Sequence, residues 1–326
     1  MIIDSQVAWY PPEIIAEAKK RNFPPYVIEN GSESYCIADG VTPIPFTKEH
    51  VDLELQIQTQ SDNGIDGAIV GPSILGDMAW ADLKLAVEWA RKYNNAYGEA
   101  QRNYPGQFFG LATLPLQDTA ASLELLDEAI LEHGLVGVFV HSNIAGQSIA
   151  KDEMRPIYKR IEELEVPVFI HPTRSIVNYP SEIDWFVEVT FGWMFDTTVA
   201  AMSLILSGIL DEFPTLQIVH PHFGGILPYL RGRIRDGMVD PWAPDLKRPV
   251  DDYLKTNFYT DTAVRAPEDI QIIFDTYSPE RILFASDYPW QKIPDYLVFA
   301  HEHIDKQHLQ AVLSDNATRL FKLPIM

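Results

Sequence analysis

The chain has 326 residues, and 25 Lys+Arg against 46 Asp+Glu give a formal charge of −21. That balance argues against a nucleic-acid backbone or an anionic membrane surface as partner, since both need clustered basic side chains. With 46% apolar and 22% charged residues the chain can bury a large core, as two domains or as one α/β barrel. The lone cysteine, Cys36, cannot form an intramolecular disulfide, and the first residues show no basic region followed by an apolar one. Both features lead to the expectation of a cytoplasmic protein.

Eight short apolar, β-rich runs recur in chain order. They are Ile2–Ala8, Ala68–Ser73, Phe108–Leu114, Val136–His141, Val168–His171, Gln217–His222, Phe258–Thr262 and Ile282–Ser286. Near-continuous apolar runs are what buried parallel strands require. Helical periodicity fills the intervals. Asp118–His133 sets Leu123, Leu126, Ala129 and Ile130 on one face, with Asp118 or Thr119 as N-cap and Gly134 beyond its end. Asp152–Leu164 and Pro267–Tyr277 read the same way. The apolar stretch Val199–Leu210 reads as a buried helix too short to span a bilayer. The pattern predicts a single (β/α)8 TIM-barrel domain over residues 1–326, with a Pro- and Gly-rich insertion after the first strand at about 9–48. Loops that follow strands lie on the catalytic face of such a barrel. The insertion is therefore either a lid or pocket wall, or a purely structural addition.

Polar residues collect at the C-terminal ends of the runs: Gln6, Ser73, His141, His171, His220 with His222, Asp261 and Asp287. A barrel brings these ends to one mouth, where histidine and carboxylate suit either a divalent metal or acid–base chemistry. Each lone histidine has a structural reading as well. His222 is the strongest functional candidate of its pair, because it precedes Gly224-Gly225, where another group can approach the backbone closely. Trp9, Tyr288 and Trp290 stand near the mouth and suit either a flat substrate or the core. The sequence has no phosphate-binding loop, no dinucleotide fingerprint, no nucleophile elbow and no paired cysteines for zinc.

Ordered motifs then run along the chain. They include Ile2-Ile3-Asp4, Asn63-Gly64-Ile65-Asp66, Gly110-Leu111-Ala112-Thr113-Leu114-Pro115 and Pro167-Val168-Phe169-Ile170-His171-Pro172. Ser207-Gly208-Ile209-Leu210-Asp211, His222-Phe223-Gly224-Gly225, Ser286-Asp287-Tyr288-Pro289 and Asn316-Ala317 complete the series. In order and spacing the chain resembles the amidohydrolase-2 family, the branch that includes aminocarboxymuconate-semialdehyde decarboxylase and the resorcylate decarboxylases. The resemblance implies a distorted barrel with one metal, held by an H-x-H on strand one, a His on strand five and an Asp on strand eight. His171 matches the strand-five ligand and Asp287 the strand-eight ligand. His222 matches the acid–base histidine of strand six. Arg233 matches an arginine that reaches a substrate carboxylate from the neighbouring subunit, so the resemblance also implies a homodimer.

The departure lies on strand one. Gln6-Val7-Ala8 stands where the family shows H-x-H. An amide oxygen is a poor zinc ligand and Ala8 offers none. The family arginine upstream of Asn63-Gly64-Ile65-Asp66 is also missing, and Gln56 and Gln60 stand nearby instead. The expectation is a hydrolase of a small cyclic or aromatic ester, lactone or amide, with no tightly bound metal. Asp287 would be the general base, and His171 and His222 would polarise the carbonyl or stabilise the oxyanion. Gln6, Trp9, His141, Arg233, Tyr288 and Trp290 would contact the substrate. One alternative is non-oxidative decarboxylation of an aromatic or muconate-type acid. Another is zinc or a different divalent ion at a weakened site of His171 and Asp287, joined by His141 or Gln6. A third is an inactive barrel that serves as a binding or scaffold protein.

Overall fold

The computed structural model describes residues 1–22, 24–30, 33–37, 44–176, 187–239 and 241–324. Eight parallel strands form one sheet: β1 (Ile3–Ala8), β2 (Gly67–Gly71), β3 (Phe108–Thr113), β4 (Gly137–His141), β5 (Val168–His171), β6 (Ile218–Val219), β7 (Phe258–Asp261) and β8 (Ile282–Leu283). Their spatial order follows chain order. The sheet closes on itself where Ser5 N donates to Phe284 O at 2.8 Å and Ala8 N donates to Tyr288 O at 2.9 Å. All eight expected strands are present, and the fold is a (β/α)8 barrel.

Alternation along the strands decides which side chains point inward. Val138, Val140, Val168 and Ile170 join the outer core against the helices. Phe139 and Phe169 belong to the inner core, with Ile3, Ile69, Phe109, Leu111, Val219, Tyr259 and Leu283. The two phenylalanine rings stack at 6.0 Å between centroids. His141 and His171 follow two residues later on the same inward face, and they pair across the β4–β5 register. Gly71 makes room for this filling, because a Cβ there would lie 2.5 Å from the Phe139 ring. Burying a Phe of this kind contributes about 1.5–3 kcal/mol.

Several boundaries differ from those the sequence suggests. The helix after β3 is α-helical over Thr119–Asp127, capped by the Asp118 carboxylate on Ala121 N, and ends in a π turn over Glu128–Glu132. The insertion holds a helix at Pro12–Ala18 and a three-stranded antiparallel sheet of Tyr26–Asn30, Glu33–Ile37 and Ile44–Phe46. Residues 23, 31–32 and 38–43 of it lie outside the described residues. The apolar helix is also longer than its sequence pattern suggests. Glu188–Leu206 is long and apolar enough, by length and composition, to cross a membrane. In the fold it buries Ala200, Ala201, Leu204 and Ile205 against the barrel.

Candidate active site

Gln6, His171, His222 and Asp287 meet at the C-terminal rim of the barrel. Gln6 Nε2 donates to Asp287 Oδ1 at 2.9 Å and faces His222 Nε2 at 3.1 Å. An amide nitrogen only donates, so His222 accepts through Nε2 and carries its proton on Nδ1. His171 is fixed by the same logic. Its Nδ1 lies 2.7 Å from the Pro172 carbonyl, which only accepts, so the lone pair sits on Nε2, 3.5 Å from Ser73 Oγ.

Backbone conformation at the rim is unusual. Ser73, His222 and Asp287 have φ of 46°, 56° and 59°, a region that costs a side-chain-bearing residue about 1–3 kcal/mol. The turn after β6 continues this through Phe223, Gly224 and Gly225. Asp261, at the end of β7, holds it: one carboxylate oxygen accepts from His222 N at 2.8 Å and from Ala263 N at 3.1 Å.

Burial sets the charge state. Desolvation, then the neighbouring Asp261, raises the Asp287 carboxyl to about 8, despite the opposing hydrogen bond from Gln6. Burial likewise raises Asp261 to about 7 and Asp4 to about 6. It lowers His222 to about 4 and holds His171 well below its usual value, with His141 and His222 adding to the effect. Near neutral pH the rim therefore presents two neutral imidazoles and a protonated carboxyl.

These groups open on a chamber of about 280 Å³, walled by Ile74, Pro172, Val189, Trp193, Trp290 and Gln291. Ser73, His171, His222 and Asp287 complete its lining. Trp193 and Gln291 escaped the sequence reading, because neither stands at the end of an apolar run. Trp290 is where the sequence suggests, its ring 4.2 Å from that of His50.

Other expected contacts are elsewhere. Trp9 is 5% exposed and belongs to the core, stacked on Tyr97 and bound through Nε1 to Val51 O. Tyr288 is 4% exposed and also lies in the core. Neither lines the chamber, because the strand-end backbone turns both rings outward. His141 is also absent from the lining, and its Nε2 is 3.0 Å from Ser73 O. That carbonyl can only accept, so Nε2 carries the proton and the ring's lone pair is left on Nδ1. Arg233 is exposed on the helix Leu227–Gly237 and does not line the chamber within one chain.

The donors fit a divalent ion poorly. His171 and Asp287 are good ligands, but Gln6 presents N–H groups to Asp287 and His222, while its Oε1 is buried without a partner among the described residues. Among the described residues no group of three or more His, Cys, Asp or Glu converges as a metal site.

A closed parallel barrel with acid–base side chains on its C-terminal rim defines a TIM-barrel enzyme. The amidohydrolase profile matches residues 53–323, and the chain belongs to the amidohydrolase-2 family. It is 31% identical over 306 residues to a gamma-resorcylate decarboxylase from Rhizobium, covering 87% of this chain and 93% of that one. It is 26% identical over 282 residues to 2-amino-3-carboxymuconate-6-semialdehyde decarboxylase from Dictyostelium discoideum, covering 83% and 77%. Among solved structures it resembles a dihydroxybenzoic acid decarboxylase from Polaromonas, with bound manganese and the inhibitor 2-nitroresorcinol. That likeness has a TM-score of 0.78 and 23% identity, over 98% of this chain and 96% of the other. These three are named for decarboxylation, and none of them for the ester, lactone or amide hydrolysis expected from the sequence.

Proposed function

We propose that the protein is a non-oxidative carboxy-lyase acting on a hydroxylated aromatic or similarly unsaturated carboxylic acid, without a tightly bound metal. One observation carries this reading. Asp287 is a half-buried carboxyl tethered by Gln6 Nε2 at 2.9 Å, and it faces a chamber whose described lining contains no Lys or Arg, where desolvation raises it to about 8. It is an acid at neutral pH, whereas hydrolysis would need it ionised as a base. The names of the relatives agree with the first role.

In this mechanism the Asp287 proton goes to the ring carbon that bears the carboxylate. The carbon–carboxylate bond then breaks, its electron pair restores the aromatic ring, and neutral carbon dioxide leaves. Asp287 is left ionised and regains a proton from water. Gln6 Nε2 holds Oδ1, so the proton is assigned to Oδ2. His171 Nε2 accepts from a ring hydroxyl, which enriches the ring electronically at the moment of protonation. Ile74, Val189 and Trp193 exclude water from the leaving carboxylate.

The test is a panel of hydroxybenzoates assayed for carbon dioxide release in chelator-treated buffer, beside a panel of lactones and cyclic amides. Turnover of an acid supports the proposal. Turnover of lactones or amides alone returns the chain to hydrolysis. Turnover of neither leaves the binding-protein reading. A cytoplasmic homodimer remains part of the proposal, supported by Tyr229 and Leu230, which are exposed on the helix that bears Arg233. Light scattering of the purified protein tests the dimer.

A further inference from the structure

Just beyond β2 the chain turns at Ser73 into a single helical turn, Ser73–Gly76. The φ of Ser73 is 46°, a conformation that glycine adopts freely and that costs a serine about 1–3 kcal/mol. The turn is pinned on both sides of this residue. His141 Nε2 donates to Ser73 O at 3.0 Å. Gly76 packs its backbone against Pro72, where a Cβ would lie 2.3 Å from the proline ring. The Ser73 side chain is left facing His171, with Oγ 3.5 Å from Nε2.

His171 presents that nitrogen as an acceptor. Its Nδ1–H is directed to the Pro172 carbonyl at 2.7 Å, so Nε2 holds the lone pair and Ser73 Oγ is the donor. Burial holds the imidazole well below its usual value, which keeps it neutral and able to accept near neutral pH. A hydroxyl, a base and an oxygen that orients the base thus stand in series, the arrangement that activates a serine. A contact of this length is typical of such pairs before a substrate tightens them.

Both side chains line the chamber of about 280 Å³, a volume suited to one ring with a short acyl group. Ile74, Val189, Trp193 and Trp290 give it apolar walls. The described lining has no Lys or Arg to hold an anion, so a neutral ester suits this wall.

We propose that Ser73 is a nucleophile and that the chamber also hydrolyses neutral aryl esters of short acids through an acyl-Ser73 intermediate, with His171 as the base. Ser73 Oγ bonds to the acyl carbon, and the bond from that carbon to the aryl oxygen breaks with its electron pair on the oxygen. The Oγ proton passes to His171 Nε2 and from there to the aryl oxide, which leaves as a phenol. Asp287 lines the same chamber and, protonated, donates to the acyl oxygen as charge develops on it. Water then gives a proton to the same Nε2 and attacks the acyl carbon, which frees the acid and restores the Ser73 hydroxyl. A recess of about 10 Å³ lined by Gln6, Ala8, Ser73 and His171 is the size of one water. The base here is His171, and Asp287 stays an acid, unlike in a hydrolysis that uses Asp287 as the base. Ester hydrolysis and carboxylate loss can each be measured without the other.

The full chain is treated with phenylmethanesulfonyl fluoride, whose sulfur takes Oγ as fluoride leaves, and the adduct is mapped by peptide mass spectrometry. Label on Ser73 is expected. Hydrolysis of 4-nitrophenyl acetate is followed alongside. Ser73→Ala should abolish the label and lower kcat/KM for the ester by about a hundredfold or more, with an unchanged circular dichroism spectrum. Ser73→Cys keeps a nucleophile in place and should take up an acetyl group from the ester at the same position. No label on Ser73 in the wild type, or ester turnover that survives Ser73→Ala, overturns the assignment. Carbon dioxide release from a hydroxybenzoate would still stand in either event.

Discussion

Gln6 Nε2 and Asp287 Oδ1 meet at 2.9 Å although 281 positions separate them in the chain. The second face of the same amide meets His222. One neutral side chain therefore tethers the acid and a histidine. Gln6→Leu removes the tether at nearly constant volume. Loss of a hydrogen bond to a group of this kind predicts a fall in kcat of about tenfold to a hundredfold, with KM little changed. Steady-state kinetics on whichever acid is turned over checks it, and an unaltered kcat refutes it.

The same geometry governs metal content. The wild type is expected to hold well under one equivalent of manganese after dialysis against the ion, measured by elemental analysis. Gln6→Glu replaces the N–H donors with a carboxylate facing Asp287, and its metal content should rise. Stoichiometric metal in the wild type would end the metal-free mechanism.

Activity should depend on pH through Asp287. Its carboxyl titrates at about 8, so the proton donor is present below that pH and absent above it. The rate is expected to fall as pH rises through about 8, and Asp287→Asn should abolish turnover. A rate that climbs through this range would identify Asp287 as a base instead.

Stability should be bell-shaped in pH. Asp4, Asp261 and Asp287 have folded values of about 6, 7 and 8, above the ordinary 3.8. A raised folded value stabilises the protein while the group is protonated, and that contribution is lost as pH climbs through each value. His50 and His220 at about 3, and His222 at about 4, lie below the ordinary 6.5. Their contribution is present above 6.5 and lost as pH falls towards those values. Urea midpoints should therefore peak near about pH 6. A midpoint that rises steadily from pH 6 to 9 would contradict this.

Gly224 tests the turn that presents His222. Its φ is +74°, and a Cβ there would lie 2.1 Å from the Tyr277 hydroxyl. Gly224→Ala should destabilise by about 1–3 kcal/mol and lower activity by moving His222. Tyr277→Phe deletes the nearest clashing atom, an oxygen with no hydrogen-bond partner among the described residues, but leaves ring carbons at 2.7 and 2.9 Å. The double variant should recover a small part of the loss, with the φ strain and the ring-carbon contacts remaining. Denaturation of the single and double variants measures this directly.

Much of the fold is legible in the chain because buried parallel strands leave a local signal. Val138-Phe139-Val140-His141 and Val168-Phe169-Ile170-His171 announce both a strand and its polar end. Trp9 and Tyr288 have no such signal. Their positions near strand ends suit a mouth, yet the backbone turn that buries them against Tyr97 and the outer core depends on distant residues. The antiparallel sheet of the insertion is hidden similarly, since three short strands in a Pro- and Gly-rich stretch carry weak periodicity.

By itself the sequence determined the strand count, the alternation that sends His171 inward, and the absence of the strand-one histidines. Only the tertiary structure decided that Gln6 offers nitrogen to Asp287, that His141 is tied to Ser73, and that Ser73 faces the acceptor nitrogen of His171. The physical reason is range. Strand alternation is set by adjacent residues, whereas hydrogen-bond partners and the desolvation that protonates Asp287 are set by groups that approach one another only when the barrel closes.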